Sequence, residues 1–331
     1  MNLKFVAPMA GAIIVLLAVA VYLSSTTENV STSEVATPEP EISTAELTST
    51  EEKTTKVELD VSSTELTTAE ENMPLELENL PAESTTSEEE LMITDGKKHL
   101  ISLDKIKGGG PPKDGIPSID DPKFVDAIDA DFVSDTHTVI GLEINGESKA
   151  YPLFILVWHE IVNDKVGGTP VSVTYCPLCY TNQVFERIID GKEVEFGTSG
   201  KLYNSNLVMY DRLTDSYWSQ ALGKAITGEL TGQELKIIPF DVITWGDWKT
   251  IHPDSKILTT ETGHLRAYGV DPYGDYYTDP RIIFPVDNKD ERLHPKEIIL
   301  GFRESGIYKA YGQNDVEHSA VINDKVADTP L

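Results

Sequence analysis

The chain has 331 residues but only two cysteines, and both lie in one short motif, Cys176-Pro177-Leu178-Cys179. No cysteine stands near the N-terminus, which excludes a lipid-attachment box there. Tyr180, not histidine, follows Cys179, so the pair is not a C-x-x-C-H haem attachment site. Histidine is scarce at seven residues, so a metal centre has few imidazoles to draw on. Positive charge is short as well. The 27 Lys and Arg face 55 Asp and Glu, a formal net charge of −28 at pH 7, which excludes nucleic acid as a partner. Residues 24–95 contain no aromatic residue at all. With 19 acidic residues against two lysines, they cannot bury enough apolar surface to offset their ordering entropy.

These shortages divide the chain. Residues 5–23, FVAPMAGAIIVLLAVAVYL, are a nearly unbroken apolar run, close to the ~20 residues a membrane-spanning helix needs. Lys4 precedes it and an acidic stretch follows, so the positive-inside bias places the rest of the chain outside the cytoplasm. The run is read as a membrane anchor. A cleaved signal peptide is the alternative, with Ala18-Val19-Ala20 as its cleavage site. Residues 24–106 are expected to be a disordered, self-repelling Ser/Thr/Glu stalk, with a sequon at Asn29-Val30-Ser31. The turn-rich KGGGPPKDGIP at residues 107–117 opens a globular domain over residues 107–331.

Within that domain strands outnumber helices. Residues 138–153 alternate around Asn145-Gly146, a strong hairpin signal. Residues 152–164 open with Pro152 and carry a helical apolar stripe, which predicts a helix. TPVSVTY (residues 169–175), ending at the cysteines, reads as a buried strand. A second hairpin is centred on Asp190-Gly191, two short strands fall in residues 205–220, and a further strand in residues 256–262. Residues 239–254 predict a helix capped by Asp241, with Trp245 and Trp248 as core or pocket walls. The fold class expected is α+β, with a mostly antiparallel sheet and a few short helices.

There is also an internal repeat. Residues 141–171 align without gaps on residues 301–331, with 11 of 31 positions identical, including Lys-Ala-Tyr and Asn-Asp-Lys-Val. Positions shared by both copies are expected to hold a hairpin-helix fold. His159 and Glu160 differ from their counterparts, Ser319 and Ala320, which makes them candidates for function.

TYCPLCYTNQVFER, FGTSGKLYNSNLVMYDRLTDSYWSQALGKAITG and WHEIVND closely resemble the DUF3179 family, mostly secreted or membrane-anchored prokaryotic proteins. The resemblance runs from about residue 114 to the C-terminus. It implies that the CPLC pair, the WHE segment, Ser199-Gly200, Asp211-Arg212, Trp218 and Gln220 belong to the family pattern, and that members continue past the second Asn-Asp-Lys-Val segment. It supplies a grouping and no reaction.

The chemistry must come from the residues. C-x-x-C spacing suits a redox pair, in which one thiolate attacks and the other resolves, although no Trp precedes Cys176 as in thioredoxin. It also supplies half of a soft-metal site, for copper or zinc, with His159 as the third ligand. A structural disulfide and a single Cys–His nucleophile are the other two readings. Glu160 is either a carboxylate supporting the site or an exposed helix charge. Ser199 sits in a Gly-flanked turn that could hold an anion, and its surroundings are not G-x-S-x-G. Asp211 and Arg212 read as an ion pair, structural or catalytic. Residues 264–280, dense in Tyr and Asp, could line a polar pocket or offer Asp271, Asp275 and Asp279 to a cation. Two functions follow: a membrane-tethered thiol-redox or soft-metal protein with an extracytoplasmic redox or metal-delivery partner, or a non-catalytic surface module whose CPLC pair is a disulfide.

If residues 5–23 are retained as an anchor, N-terminal sequencing of the mature protein should find the chain uncleaved. A start near Val21 or beyond would identify a signal peptide instead.

Overall fold

The computed structural model describes residues 90–304, 307–319 and 321–330. The apolar run and most of the stalk lie outside the described residues. Within the span read as stalk, Met92–Thr94 and Lys97–His99 form a hairpin that shares one large sheet with Lys107–Gly108. Short strands of mixed polarity such as these carry little pattern in the sequence.

Strands are mostly antiparallel and helices are few and short, as expected. Three sheets form the body. A five-stranded sheet runs in the order Asp241–Thr244, Thr138–Ile144, Glu147–Pro152, Lys256–Leu258, Phe124–Asp126, with Lys256–Leu258 parallel to its neighbour Glu147–Pro152. A three-stranded sheet contains Ile161–Val166, Thr169–Cys176 and Thr181–Glu186. A seven-stranded sheet includes Phe196–Tyr203, Asn206–Asp211, Tyr217–Ser219 and Lys224–Thr227.

The three-stranded sheet is the middle layer. Along Thr169–Cys176, Val171, Val173 and Tyr175 pack with Ile140, Leu142 and Tyr151 of the five-stranded sheet. Side chains alternate across a strand, so Cys176 faces the other way, among Phe196, Met209 and Trp218 of the seven-stranded sheet. A strand buried on both faces explains the apolar, β-branched run TPVSVTYC.

Polar pairs tie the layers together from the neighbouring strand. Asp164 accepts from Lys149 at 2.9 Å and from the Tyr151 hydroxyl at 2.6 Å, both on the five-stranded sheet. Its neighbour Asn163 points the opposite way. It accepts from the Phe196 backbone N–H at 3.0 Å and donates to the Phe196 carbonyl at 2.8 Å, on the seven-stranded sheet. The Arg187 guanidinium, also buried, donates to the carbonyls of Asp164, Val171 and Val194.

Two expected helices are shorter than their patterns. Of residues 152–164 only Leu153–Leu156 is helical, and Ile161–Val166 is a strand. The apolar stripe was genuine, since Leu153, Ile155 and Leu156 are buried. The hairpin turn at Gly167-Gly168, with φ of 52° and 80°, draws Ile161–Val166 into pairing with the cysteine strand and overrides helical continuation. Likewise the helix expected from Asp241 is a strand at Asp241–Thr244 followed by a helix at Trp245–Ile251. Thr244, not Asp241, is its cap, accepting from the Asp247 backbone N–H. Trp245 and Trp248 are core residues, packed with Val139, Ala150 and Ile257.

Asp164→Ala would leave the buried Lys149 ammonium with only the longer contact to Glu147 at 3.6 Å and would strip the Tyr151 hydroxyl of its acceptor. A loss of about 3–5 kcal/mol in denaturant unfolding is expected.

Candidate functional site

The two cysteines occupy the ends of a tight turn. The Cys179 backbone N–H donates to the Cys176 carbonyl at 3.3 Å, and Pro177 fills the position that favours a fixed φ. The cysteine strand ends at Cys176, so that thiol stays in the core while Cys179 emerges at the surface. Both are free thiols; Cys176 Sγ donates to the Ser205 carbonyl at 3.9 Å, and each side chain acts on the ionisation of the other.

Their environments push them apart. Burial drives the Cys176 thiol well above the ordinary range, aided by its hydrogen bond to Cys179. The Cys179 thiol is brought down to about 6, chiefly by the hydrogen bond from Cys176, and further by donors from Asn206 and Thr181. Asn206 Nδ2 lies 3.2 Å from Cys179 Sγ and the Thr181 hydroxyl 3.1 Å from it. Each favours the thiolate.

Gln220 acts one step further back. Its Oε1 accepts from Asn206 Nδ2 at 2.6 Å, and its Nε2 donates to Thr174 Oγ1 and the Thr181 carbonyl. The Asn206 side chain is thereby held between Gln220, the Ala221 backbone N–H and the sulfur. Asn206 and Thr181 were not singled out from sequence. The available signal was a polar residue opening the apolar run NLVMY.

Glu160 is buried, not an exposed helix charge. It stands where the short helix gives way to strand, with φ of 60°, a left-handed conformation that glycine usually supplies. Its carbonyl accepts from the Tyr175 backbone N–H at 2.8 Å, which docks this corner on the cysteine strand. Burial, and then the charge of Cys179, push its carboxyl up to about 8.

His159, next to it in sequence, is not brought to the sulfurs. Nδ1 bonds the Pro117 carbonyl at 2.8 Å and Nε2 the Tyr268 hydroxyl at 2.6 Å, and burial lowers the imidazole to about 4. Both ring nitrogens are thus engaged, with the neutral ring favoured. Cys176, Cys179 and His159, the ligands expected for copper or zinc, are not gathered into one group, and both His159 nitrogens have partners other than a cysteine. Among the described residues no three His, Cys, Asp or Glu side chains come together to hold a metal ion. That covers Asp271, Asp275 and Asp279 too, and Asp279 is paired with Arg281.

The remaining expected residues hold the scaffold. Ser199 lies at a β-bulge: its hydroxyl donates to the Val208 carbonyl and accepts from the Lys201 N–H. The backbone of Pro111-Pro112 packs against Gly200, leaving no room for a side chain there. The strand ends at Asp211, and Arg212 opens the turn that follows, where the two side chains take different partners. Asp211 accepts from Trp218 Nε1 at 2.9 Å and from Thr214, whereas Arg212 reaches Asp120 at 2.6 Å and Ser118. Trp218 is core, edge-on to Phe196.

Residues 264–280 cover the site. The Tyr276 hydroxyl donates to the Leu178 carbonyl inside the CPLC turn, and Tyr273 is held neutral by burial and by the charges of Glu160 and Cys176.

These features define a β-sheet domain built around an asymmetric, partly exposed dithiol with a buried carboxyl beside it. The family model described as "Protein of unknown function (DUF3179)" matches residues 113–331, and the chain belongs to that family. No curated protein and no solved structure matches the chain significantly.

Alkylation should separate the two thiols. Cys179 should react with iodoacetamide with a rate that rises with pH through a midpoint near 6, while Cys176 stays unreactive across the neutral range. Asn206→Ala should move the Cys179 midpoint upward, read by mass spectrometry of quenched samples.

Proposed function

We propose that the domain performs thiol–disulfide exchange, with Cys179 as the attacking thiolate, Cys176 as the resolving thiol and Glu160 as the proton acceptor. The observation that carries this reading is the asymmetry of the pair: one free thiol buried, the other exposed with the Asn206 amide and the Thr181 hydroxyl against its sulfur. A thiolate with a pKa near ambient pH combines population with nucleophilicity.

The Cys179 thiolate attacks one sulfur of a substrate disulfide. A mixed disulfide forms and the first substrate thiolate leaves. Cys176 then passes its proton to the Glu160 carboxylate and attacks Cys179 Sγ. The internal disulfide forms and the second substrate thiolate leaves. The substrate gains two electrons, and an external dithiol must return them to the domain. Capture of Cys179 removes its negative charge, one of the two causes that hold the Glu160 carboxyl up, so the carboxylate is favoured when the proton must move. The role of base falls to Glu160 because His159 faces Tyr268 and Pro117.

In this reading the protein is tethered to the membrane by residues 5–23 and works outside the cytoplasm, with an extracytoplasmic redox partner. What supports that placement is the apolar run and the acidic stretch behind it.

We also read residues 301–331 as a second copy of residues 141–171. The support is a hairpin of Ile299–Glu304 and Ile307–Gly312, a helix at Gln313–Ser319 and a short second hairpin at Lys325–Val326 and Thr329–Pro330. In it Asp324 accepts from Lys309 at 2.6 Å and from the Tyr311 hydroxyl, as Asp164 does from Lys149 and Tyr151. Ser319 and Ala320 stand in it where His159 and Glu160 stand in the first copy.

Incubation with a disulfide-linked model peptide tests the mechanism. Cys176→Ser should accumulate the mixed disulfide on Cys179, and Cys179→Ser should not react. Glu160→Gln should slow ring closure by about 10²-fold while leaving the first attack intact. Capture of the peptide on Cys176 would reverse the assigned polarity.

A further inference from the structure

A second feature lies across the cysteine strand from the buried sulfur. A cleft of about 180 Å³ is walled by Phe154, Tyr175, Tyr180 and Tyr277, with Asp271 at its edge. Tyr175 and Tyr180 meet edge to face at 5.6 Å, and Tyr180 and Tyr277 at 6.4 Å. No Lys or Arg lines it, Asp271 is its one carboxylate, and His137 also lines it, with its ring 4.9 Å from that of Phe154. Its volume is below the ~300–1,000 Å³ of typical drug-sized pockets, so it suits a group of side-chain size.

Ring faces attract a cation electrostatically, and a carboxylate at the rim adds to that attraction while disfavouring an acidic guest. Asp271 accepts from the Tyr273 backbone N–H at 2.8 Å, which fixes the carboxylate at the start of a turn. The chain as a whole is strongly acidic, so its field also favours a basic partner.

The cleft adjoins the dithiol in two ways. Tyr175 and Tyr180 bracket the CPLC motif in sequence. The segment of residues 271–277 gives Asp271 and Tyr277 to the cleft, while its Tyr273 and Tyr276 reach the surroundings of Cys176 and the Leu178 carbonyl. A polypeptide lying along this segment meets both.

We propose that this aromatic cleft binds a lysine or arginine side chain of a polypeptide substrate, close in sequence to the cysteine whose disulfide is exchanged. The assignment of a substrate deepens the exchange reading and rests on it. The cation site stands on the cleft alone.

Two measurements keep them apart. In the full chain carrying both Cys176→Ser and Cys179→Ser, calorimetry should show N-acetyl-lysine methylamide binding about tenfold more tightly than its uncharged norleucine analogue. Asp271→Asn should erase most of that difference. In the chain with both cysteines, disulfide peptides with Lys beside the cysteine should be exchanged about tenfold faster than those with norleucine, and those with Glu slower still. Equal binding of the two amides, or an unchanged preference in Asp271→Asn, overturns the cation site. Tetramethylammonium binding where the lysine amide does not bind overturns the polypeptide assignment. Lysine binding with no exchange of any peptide overturns the thiol reading and leaves the cation site standing. Exchange of all three peptides at one rate leaves the thiol reading standing and overturns the cleft as its substrate site.

Discussion

The strand Thr169–Cys176 has no face toward water, and the rest of the domain answers to that constraint. Val171, Val173 and Tyr175 pack against the five-stranded sheet, and Cys176 against the seven-stranded one. A polar group placed there must find an internal partner or carry its full desolvation cost. The neighbouring strand meets this demand with Asn163 and Asp164, which turn to opposite layers and satisfy backbone and side-chain groups on each. The layers are therefore fixed by directional bonds as well as by apolar burial.

The same constraint makes the two sulfurs unlike. A thiol at the last position of a buried strand is expensive to ionise, and one placed three residues later, past a proline turn, is not. Proximity then works in favour of the outer sulfur, because the inner one keeps its proton and helps to lower its neighbour. Asn206, itself held by Gln220, adds a second donor from the seven-stranded sheet. The site thus draws on the middle layer for its sulfurs and on an outer layer for the donor that tunes them.

Glu160 completes the arrangement at a local cost. A glutamate in the left-handed region carries strain of order 1 kcal/mol, where glycine would carry none. In this position its backbone links the short helix to the cysteine strand and its carboxyl is close enough to feel the charge on Cys179. His159 shows how selective the corner is. One residue earlier, its ring is locked between Pro117 and Tyr268.

Much of this was legible in the sequence, for local reasons. Asn145-Gly146 needs only its own backbone preferences to turn a hairpin, with φ of 51° and 79°. The β-branched run before the cysteines marked a buried strand, and the CPLC spacing by itself brought two sulfurs together. The absence of aromatics from residues 24–95 set them apart from the globular part of the chain. Where the reading failed, distant partners decided. Ile161–Val166 has the apolar spacing of a helix until the Gly167-Gly168 turn offers it a strand to pair with. Asp211 and Arg212 look like a pair until the strand ends between them and sends one to Trp218 and the other to Asp120. Whether His159 or Glu160 turns toward the cysteines depends on a single left-handed residue and on Tyr268, more than a hundred positions away. Asn206 reaches Cys179 only because two sheets stack, and stacking is set by the sum of their apolar faces, which no short stretch of sequence encodes.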